Sequence, residues 1–180
     1  MKQYISLLRG INVSGQKKIS MAELARCYDA CGFETVRTYI QSGNVLFKSA
    51  KPASQCREEI ERGIREAFGF DVLVRVLDLP ELKAIRSALP FGGERVFFTF
   101  IMANGPSAGT APDLSELMDQ RAEGDQLAAV PGAIYFLCPG SYGRSKLSNN
   151  FIERKLGIRA STRNLKTVDA LIGLCDDDPE

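Results

Sequence analysis

The order of apolar and helical segments is the feature that most constrains the fold of this chain. Residues 3–10 form an apolar run rich in β-formers, and the capping box at 20–23 starts a helical pattern behind it. A hairpin pattern follows over 34–49, then a second helical pattern that Pro52 opens, then a β run at 71–78. This β-α-β-β-α-β order is that of a ferredoxin-like unit.

The second half of the chain repeats this order. Its segments are a strand at 95–102, a helix at 112–120, two strands on either side of Pro131-Gly132, a helix at 149–157, a short strand at 158–162 and a last helix at 164–174 capped by Asn164. We therefore predict an α+β fold of two tandem ferredoxin-like units, with antiparallel sheets and helices on one face. The units span 1–78 and 95–180, and a helix and loop at 79–94 link them.

The composition is that of an ordinary globular protein. The 180 residues are 44% hydrophobic and 25% charged, and their net charge of +1 argues against non-specific coating of nucleic acid. No apolar run reaches the ~18 residues that a membrane span needs, and the N-terminus lacks a signal-peptide pattern. These observations predict a cytoplasmic protein without a membrane partner.

The reactive residue types exclude several chemistries. The chain has no histidine, which removes Ser-His and Cys-His catalysis and any mixed Cys/His zinc site. Five cysteines without a recognisable spacing are typical of free thiols in a reducing compartment. The sequence indicates no metal site and identifies no cofactor, and it leaves open whether the protein is an enzyme.

The predicted topology gathers polar loop residues at one edge of the first sheet. In a β-α-β-β-α-β unit the connection from strand 1 to helix 1, the strand 2–3 hairpin and the connection from helix 2 to strand 4 share that edge. We predict a ligand site there, and its candidate residues are Arg9, Asn12, Lys17, Gln41, Ser42 and Asn44. The alternative is that these residues only form turns.

A second basic loop lies at 139–150, just before a helical pattern. Its candidate ligand residues are Arg144, Ser145 and Lys146. The loop is rich in glycine and basic, which suits phosphate, but its spacing is not that of a P-loop.

Four longer motifs carry a family resemblance: LLRGINVSGQKKISMAEL, GFETVRTYIQSGNVLF, GRSKLSNNFIERKLG and STRNLKTV. Together they resemble the bacterial family known as domain of unknown function 1697, over residues 3–174. The resemblance implies a duplicated α+β fold and supplies no activity. Its TRN motif falls on 162–164 and adds Arg163 and Asn164 to the candidate ligand residues. The chain departs from the family at Ser14, where glycine is usual, and at Leu165, where tryptophan is usual.

The sequence leaves three functions open. The favoured one is binding of a phosphorylated or nucleotide-like small molecule, because basic and amide groups cluster without a proton-transfer residue. A nucleic-acid-binding module is the first alternative, with bases stacked on exposed sheet aromatics. Its candidates are Tyr39, Phe47, Phe97, Phe98, Phe100, Tyr135 and Phe136, for which ordinary core or sheet packing is the favoured interpretation. The second alternative is a histidine-independent enzyme that acts on a phosphorylated substrate.

Overall fold

The computed structural model describes residues 1–13, 15–102 and 109–176. Ser14, one of the two departures from the family pattern, lies outside the described residues. The elements are, in chain order, β1 (Lys2–Leu8), α1 (Met21–Ala30), β2 (Glu34–Tyr39), β3 (Asn44–Ser49), α2 (Ala53–Phe68), β4 (Val74–Asp78), α3 (Leu79–Ser87), β5 (Val96–Ile101), α4 (Ser115–Met118), β6 (Gln126–Val130), β7 (Ala133–Leu137), α5 (Asn149–Leu156), β8 (Ala160–Asn164) and α6 (Leu165–Asp176). A 3₁₀ turn at Tyr142–Arg144 precedes α5.

The strands form two four-stranded sheets. The first has the order β2-β3-β1-β4 and the second the order β6-β7-β5-β8. Every neighbouring pair is antiparallel; Ile5, for example, pairs with Leu46 on one side and Leu77 on the other. The mixed α+β class predicted from the sequence is confirmed.

The chain divides into two compact units. One comprises Met1–Leu82 and the chain end from Leu171, and the other comprises Lys83–Ala170. The division therefore falls within α3, whereas the sequence pattern places the unit limits at 78 and 95. The predicted domain limits stay a prediction, because compactness alone does not show which segment folds independently.

The core of the first unit lies between its sheet and the helices α1 and α2. The rings of Tyr28, Phe33 and Phe47 contact one another, with centroids 4.7 to 5.8 Å apart. The Tyr28 hydroxyl is fully buried and forms a 2.7 Å hydrogen bond with the hydroxyl of Ser6 in β1. Aromatic packing thus fixes α1 on the sheet and leaves the loop ahead of it at the sheet edge.

The second unit has its own apolar core, to which Ile134, Phe136, Leu147 and Ile152 contribute. The aromatics proposed for base stacking are mostly inside the protein. Five of them are at most 1% exposed, namely Phe47, Phe98, Phe100, Tyr135 and Phe136. These five rings are packed in the interior of the protein, which agrees with the core packing that the sequence favours for them over base stacking.

Several element limits differ from the sequence pattern. Helix α4 has only four residues instead of the nine predicted, and β8 ends at Asn164 instead of 162. Arg163 and Asn164 extend β8 because they pair with Phe98 and Phe97 of β5. The predicted cap of the last helix is confirmed, since Thr167 N donates to Asn164 Oδ1 at 2.8 Å. Among the described residues, no helix has the length and hydropathy of a membrane span.

Candidate functional site

The connection between β1 and α1 is a tight loop of unusual backbone conformation. Asn12 and Lys17 have φ values of 55° and 45°, and Gly10 and Gly15 also have positive φ. Asn12 N donates to Lys17 O at 3.2 Å, which closes the loop on itself. Asparagine tolerates this left-handed conformation, whereas lysine adopts it at a cost in free energy. The loop is therefore held in one strained arrangement.

The Asn12 side chain joins this loop to its neighbours. Its Nδ2 donates to the carbonyl oxygens of Ile19 and Gln41, at 2.9 and 3.0 Å, and its Oδ1 accepts a 2.9 Å bond from Ile19 N. The amide thus links the loop to the start of α1 and to the β2–β3 hairpin. With two donors and one acceptor engaged by backbone groups, Asn12 serves as a positioning residue.

The β2–β3 hairpin is built in a similar way. Asn44 is buried, and its Nδ2 donates to Tyr39 O and to Ser42 Oγ at 2.9 and 3.0 Å. Gly43 has φ 77°, and a Cβ there would lie 2.8 Å from Leu8 Cβ, so no larger residue fits without displacing β1. The amide of Leu8 donates to Gly43 O at 2.8 Å. Backbone contact with β1 therefore fixes the hairpin tip.

The third connection, between α2 and β4, meets the same edge. Arg9 N donates to Leu73 O at 2.9 Å. Lys17 Nζ donates to Asp71 O and lies 5.9 Å from the centre of the Phe70 ring. The structure thus brings the three connections of the first unit together. Lys17 is directed towards the α2–β4 connection.

A groove of about 450 Å³ lies between the β1–α1 loop and the start of α1. Its lining includes Asn12, Lys18, Ser20, Met21, Glu23 and Gln41. Lys18 and Gln41 are exposed, and Lys18 makes no ion pair within the described part of the chain.

Glu23 gives the groove a fixed negative charge. The Ser20 hydroxyl donates to Glu23 Oε2 at 2.6 Å, and Ser20 N donates to the same oxygen at 3.2 Å. These hydrogen bonds hold the pKa of the Glu23 carboxyl below its usual range. The groove therefore presents an ammonium, an ionised carboxylate and an exposed amide.

The candidate ligand residues that the sequence predicts in the second unit differ in their exposure to solvent. Arg144 and Lys146 are exposed, and Ser145 Oγ accepts a 3.0 Å bond from Leu147 N. Arg163 is only 6% exposed and donates to Ser161 Oγ and Thr162 O at 2.7 and 2.9 Å. Burial lowers the pKa of Arg163 to about 10, so the guanidinium still carries its charge at neutral pH.

Sequence reasoning missed three groove residues, Lys18, Ser20 and Glu23, as ligand candidates. The capping-box pattern at 20–23 identified the start of α1, but its carboxylate was assigned to the helix alone. Within residues 1–13, 15–102 and 109–176, no cluster of three or more metal-ligating Cys, Asp or Glu side chains occurs.

The fold and this groove define an α+β protein of two four-stranded antiparallel sheets with a polar groove at the loop edge of the first unit. The family model "Protein of unknown function (DUF1697)" matches residues 1–135, and the chain belongs to that family. A solved structure, described as that of conserved bacterial protein SP0830 from Streptococcus pneumoniae, is similar with a TM-score of 0.73. The two sequences are 25% identical, and the alignment covers 96% of this chain and 97% of that one. No curated protein matches the chain.

Proposed function

We propose that the groove beside the β1–α1 loop binds a small molecule that carries a phosphate group. The observation that carries the proposal is the exposed Lys18 ammonium, without an ion pair in the described chain, on a loop locked by Asn12. A rigid loop loses little conformational freedom on binding, which favours affinity. An ammonium beside an amide donor is suited to phosphate oxygens.

The two charges of the groove favour a ligand with two different parts, a phosphate group for Lys18 and hydroxyl groups for Glu23. In the proposal Lys18 and Gln41 contact the phosphate, with Arg9 and Ser42 nearby at the same edge. The ionised Glu23 repels a phosphate but accepts hydrogen bonds from hydroxyl groups. A sugar phosphate or a nucleotide has both a phosphate group and hydroxyl groups, whereas inorganic phosphate lacks the sugar hydroxyls. Asn12 and Asn44 position the loops without touching the ligand.

Thermal denaturation with a panel of ligands tests this assignment. Ribose 5-phosphate and adenosine monophosphate are compared with adenosine, inorganic phosphate and sodium chloride at equal ionic strength. At ten times Kd a ligand stabilises the protein by about 1.4 kcal/mol, which raises Tm by ~3 to 6 °C for a chain of this size. We expect the phosphorylated sugars to exceed both phosphate and adenosine.

A matched pair of variants locates the effect. Lys18→Gln removes the groove ammonium, whereas Lys2→Gln removes an exposed lysine of β1 in the same unit. We expect Lys18→Gln to lose most of the ligand-induced shift and Lys2→Gln to keep it. No shift with any phosphorylated ligand at millimolar concentration, or equal shifts in both variants, would overturn the proposal.

The repeated strand order also supports the finer description of the fold. We propose that the two units are ferredoxin-like copies produced by internal duplication. Both follow the element order β-α-β-β-α-β, and both sheets place their first and third strands in the middle. The five cysteines are free thiols, which suits the proposed cytoplasmic location.

A further inference from the structure

Two thiols converge where α1 ends against α2. Cys27 and Cys31 are one helical turn apart, and residues at this spacing lie on the same face of a helix. A Cβ added to Gly63 of α2 would lie 2.7 Å from Cys31 Sγ and 3.4 Å from Cys27 Sγ. The Cys31 sulfur therefore occupies the space that the glycine leaves, and the Cys27 sulfur lies at contact distance from it. Cys27 is 8% exposed and Cys31 is more exposed.

The surroundings of the pair favour a thiolate on Cys31. The adjacent Cys27 thiol is the main cause that lowers the pKa of Cys31, and the same interaction raises the pKa of Cys27. The Cys31 thiol itself donates to Glu59 O at 3.7 Å. Arg62 and Lys51 also lower the pKa of Cys31, while burial and Glu59 act against them. The negative end of a helix disfavours an anion, so the two cations matter for reactivity.

We propose that Cys27 and Cys31 form a peroxide-reactive dithiol that closes into a disulfide at the C-terminal end of α1. The Cys31 thiolate attacks one oxygen of hydrogen peroxide, forming the S–O bond of a sulfenic acid as the O–O bond breaks and hydroxide leaves. The Cys27 sulfur then attacks the sulfenic sulfur, forming the S–S bond and releasing water. The two thiols lose two electrons and two protons, and peroxide becomes two waters.

The local geometry permits this closure. Residues four apart in a helix have Cα atoms about 6.2 Å apart, within the usual disulfide range of roughly 4.4 to 6.8 Å. The Cβ atoms must come closer, and the helix end can allow this. Cys31 is the last residue of the turn, and its N–H is shared between Cys27 O and Tyr28 O, both at 3.1 Å. Gly32 follows with φ 79°, so one short turn has to unwind.

Two of the three remaining thiols, Cys56 and Cys138, serve as internal controls. Cys56 is fully buried, and its Sγ contacts Lys51 O at 3.6 Å. Cys138 is 3% exposed. Burial raises the pKa of both thiols, which keeps them protonated and unreactive at neutral pH.

The test is mass spectrometry of the folded full-length protein after treatment with hydrogen peroxide. Trypsin releases 27–37, CYDACGFETVR, which contains both cysteines of the pair and no other. We expect this peptide to lose two hydrogen atoms and to become resistant to alkylation, while Cys56 and Cys138 stay alkylatable after unfolding. Recovery of the peptide as two free thiols, or oxidation of all five cysteines at equal rates, would overturn the proposal.

Variants separate the roles of the two sulfurs. Cys27→Ala should trap the Cys31 sulfenic acid, detected as a dimedone adduct, whereas Cys31→Ala should give no adduct on Cys27.

Arg62→Gln should slow oxidation of the pair about threefold or more. Loss of the cation raises the pKa of Cys31, and the fraction of thiolate falls about tenfold for each unit by which that pKa rises. Arg65→Gln, an exposed arginine on the same helix, should leave the rate unchanged. An unchanged rate in Arg62→Gln would contradict the electrostatic part of the proposal.

Discussion

Individual residues at the loop edge adopt backbone conformations that their side chains disfavour. Ile40 is the clearest case, because it is β-branched, has φ 50° and is 49% exposed. A non-glycine residue in this conformation costs of order 1 to 3 kcal/mol. Such strain is retained where the surrounding structure enforces it, and here Asn12 bonds the neighbouring Gln41 carbonyl.

Replacing Ile40 should therefore relieve strain with little loss of packing. We expect Ile40→Asn to raise the free energy of unfolding by about 1 kcal/mol, since asparagine tolerates positive φ. Urea denaturation measures the change. Val13→Asn is the matched control, because Val13 is 58% exposed and is not among the residues with positive φ. A gain of equal size in both variants would show that exposed apolar area, and not backbone strain, is the cause.

At the scale of elements, the packing of α1 on α2 depends on a glycine in the middle of a helix. Glycine at such a position ordinarily costs ~1 kcal/mol relative to alanine. At Gly63 a side chain is excluded because the sulfur of Cys31 occupies its place. The absence of a side chain at Gly63 thus allows both the close approach of α1 to α2 and the placement of the thiol pair between them.

We therefore predict that the effect of Gly63→Ala on stability has opposite signs in the wild-type protein and in the Cys31→Ala variant. Gly63→Ala should destabilise the wild-type protein by about 1 to 2 kcal/mol through overpacking, and stabilise the Cys31→Ala variant by up to ~1 kcal/mol. Gly173→Ala is the control, because Gly173 lies in α6 with open space around it and should stabilise both backgrounds alike. Chemical denaturation of the four combinations gives the coupling energy. Additive effects at Gly63 would contradict the packing described here.

At the scale of the whole molecule, both units keep phenol hydroxyls inside. Burial is the main cause that raises the pKa of four tyrosines, which are Tyr4, Tyr28, Tyr135 and Tyr142. For Tyr135, whose hydroxyl donates to Ile85 O at 2.6 Å, the pKa rises to about 12. The folded state therefore favours the neutral phenols in both units.

The consequence is a loss of stability at alkaline pH. A phenol whose pKa is raised by folding contributes its full stability below the unfolded pKa of about 10, and this stability is lost as pH rises through the folded value. We expect the free energy of unfolding to fall steadily between about pH 10 and pH 12. The absorbance of the phenolate form of the buried tyrosines should appear at the pH at which the protein unfolds, and unfolding is measured by circular dichroism. Full ionisation in a folded protein would contradict the assigned burial.

Local sequence was sufficient to predict the element order, the capping box of α1, the cap at Asn164 and the α+β class. These follow from local hydrogen bonds and from hydrophobic periodicity, which act between residues close in the chain. It also indicated the polar loops of the first unit, and the family match agrees with the motifs that those loops contain.

Which of those polar groups are available to a ligand depends on the tertiary fold. It engaged the amides of Asn12 and Asn44 with backbone carbonyls, buried Arg163 and left Lys18 exposed in the groove. It likewise brought Gly63 against two thiols that lie more than thirty positions earlier in the chain. These outcomes depend on contacts between distant segments, where the cost of desolvating a polar group is set by partners that local sequence does not specify.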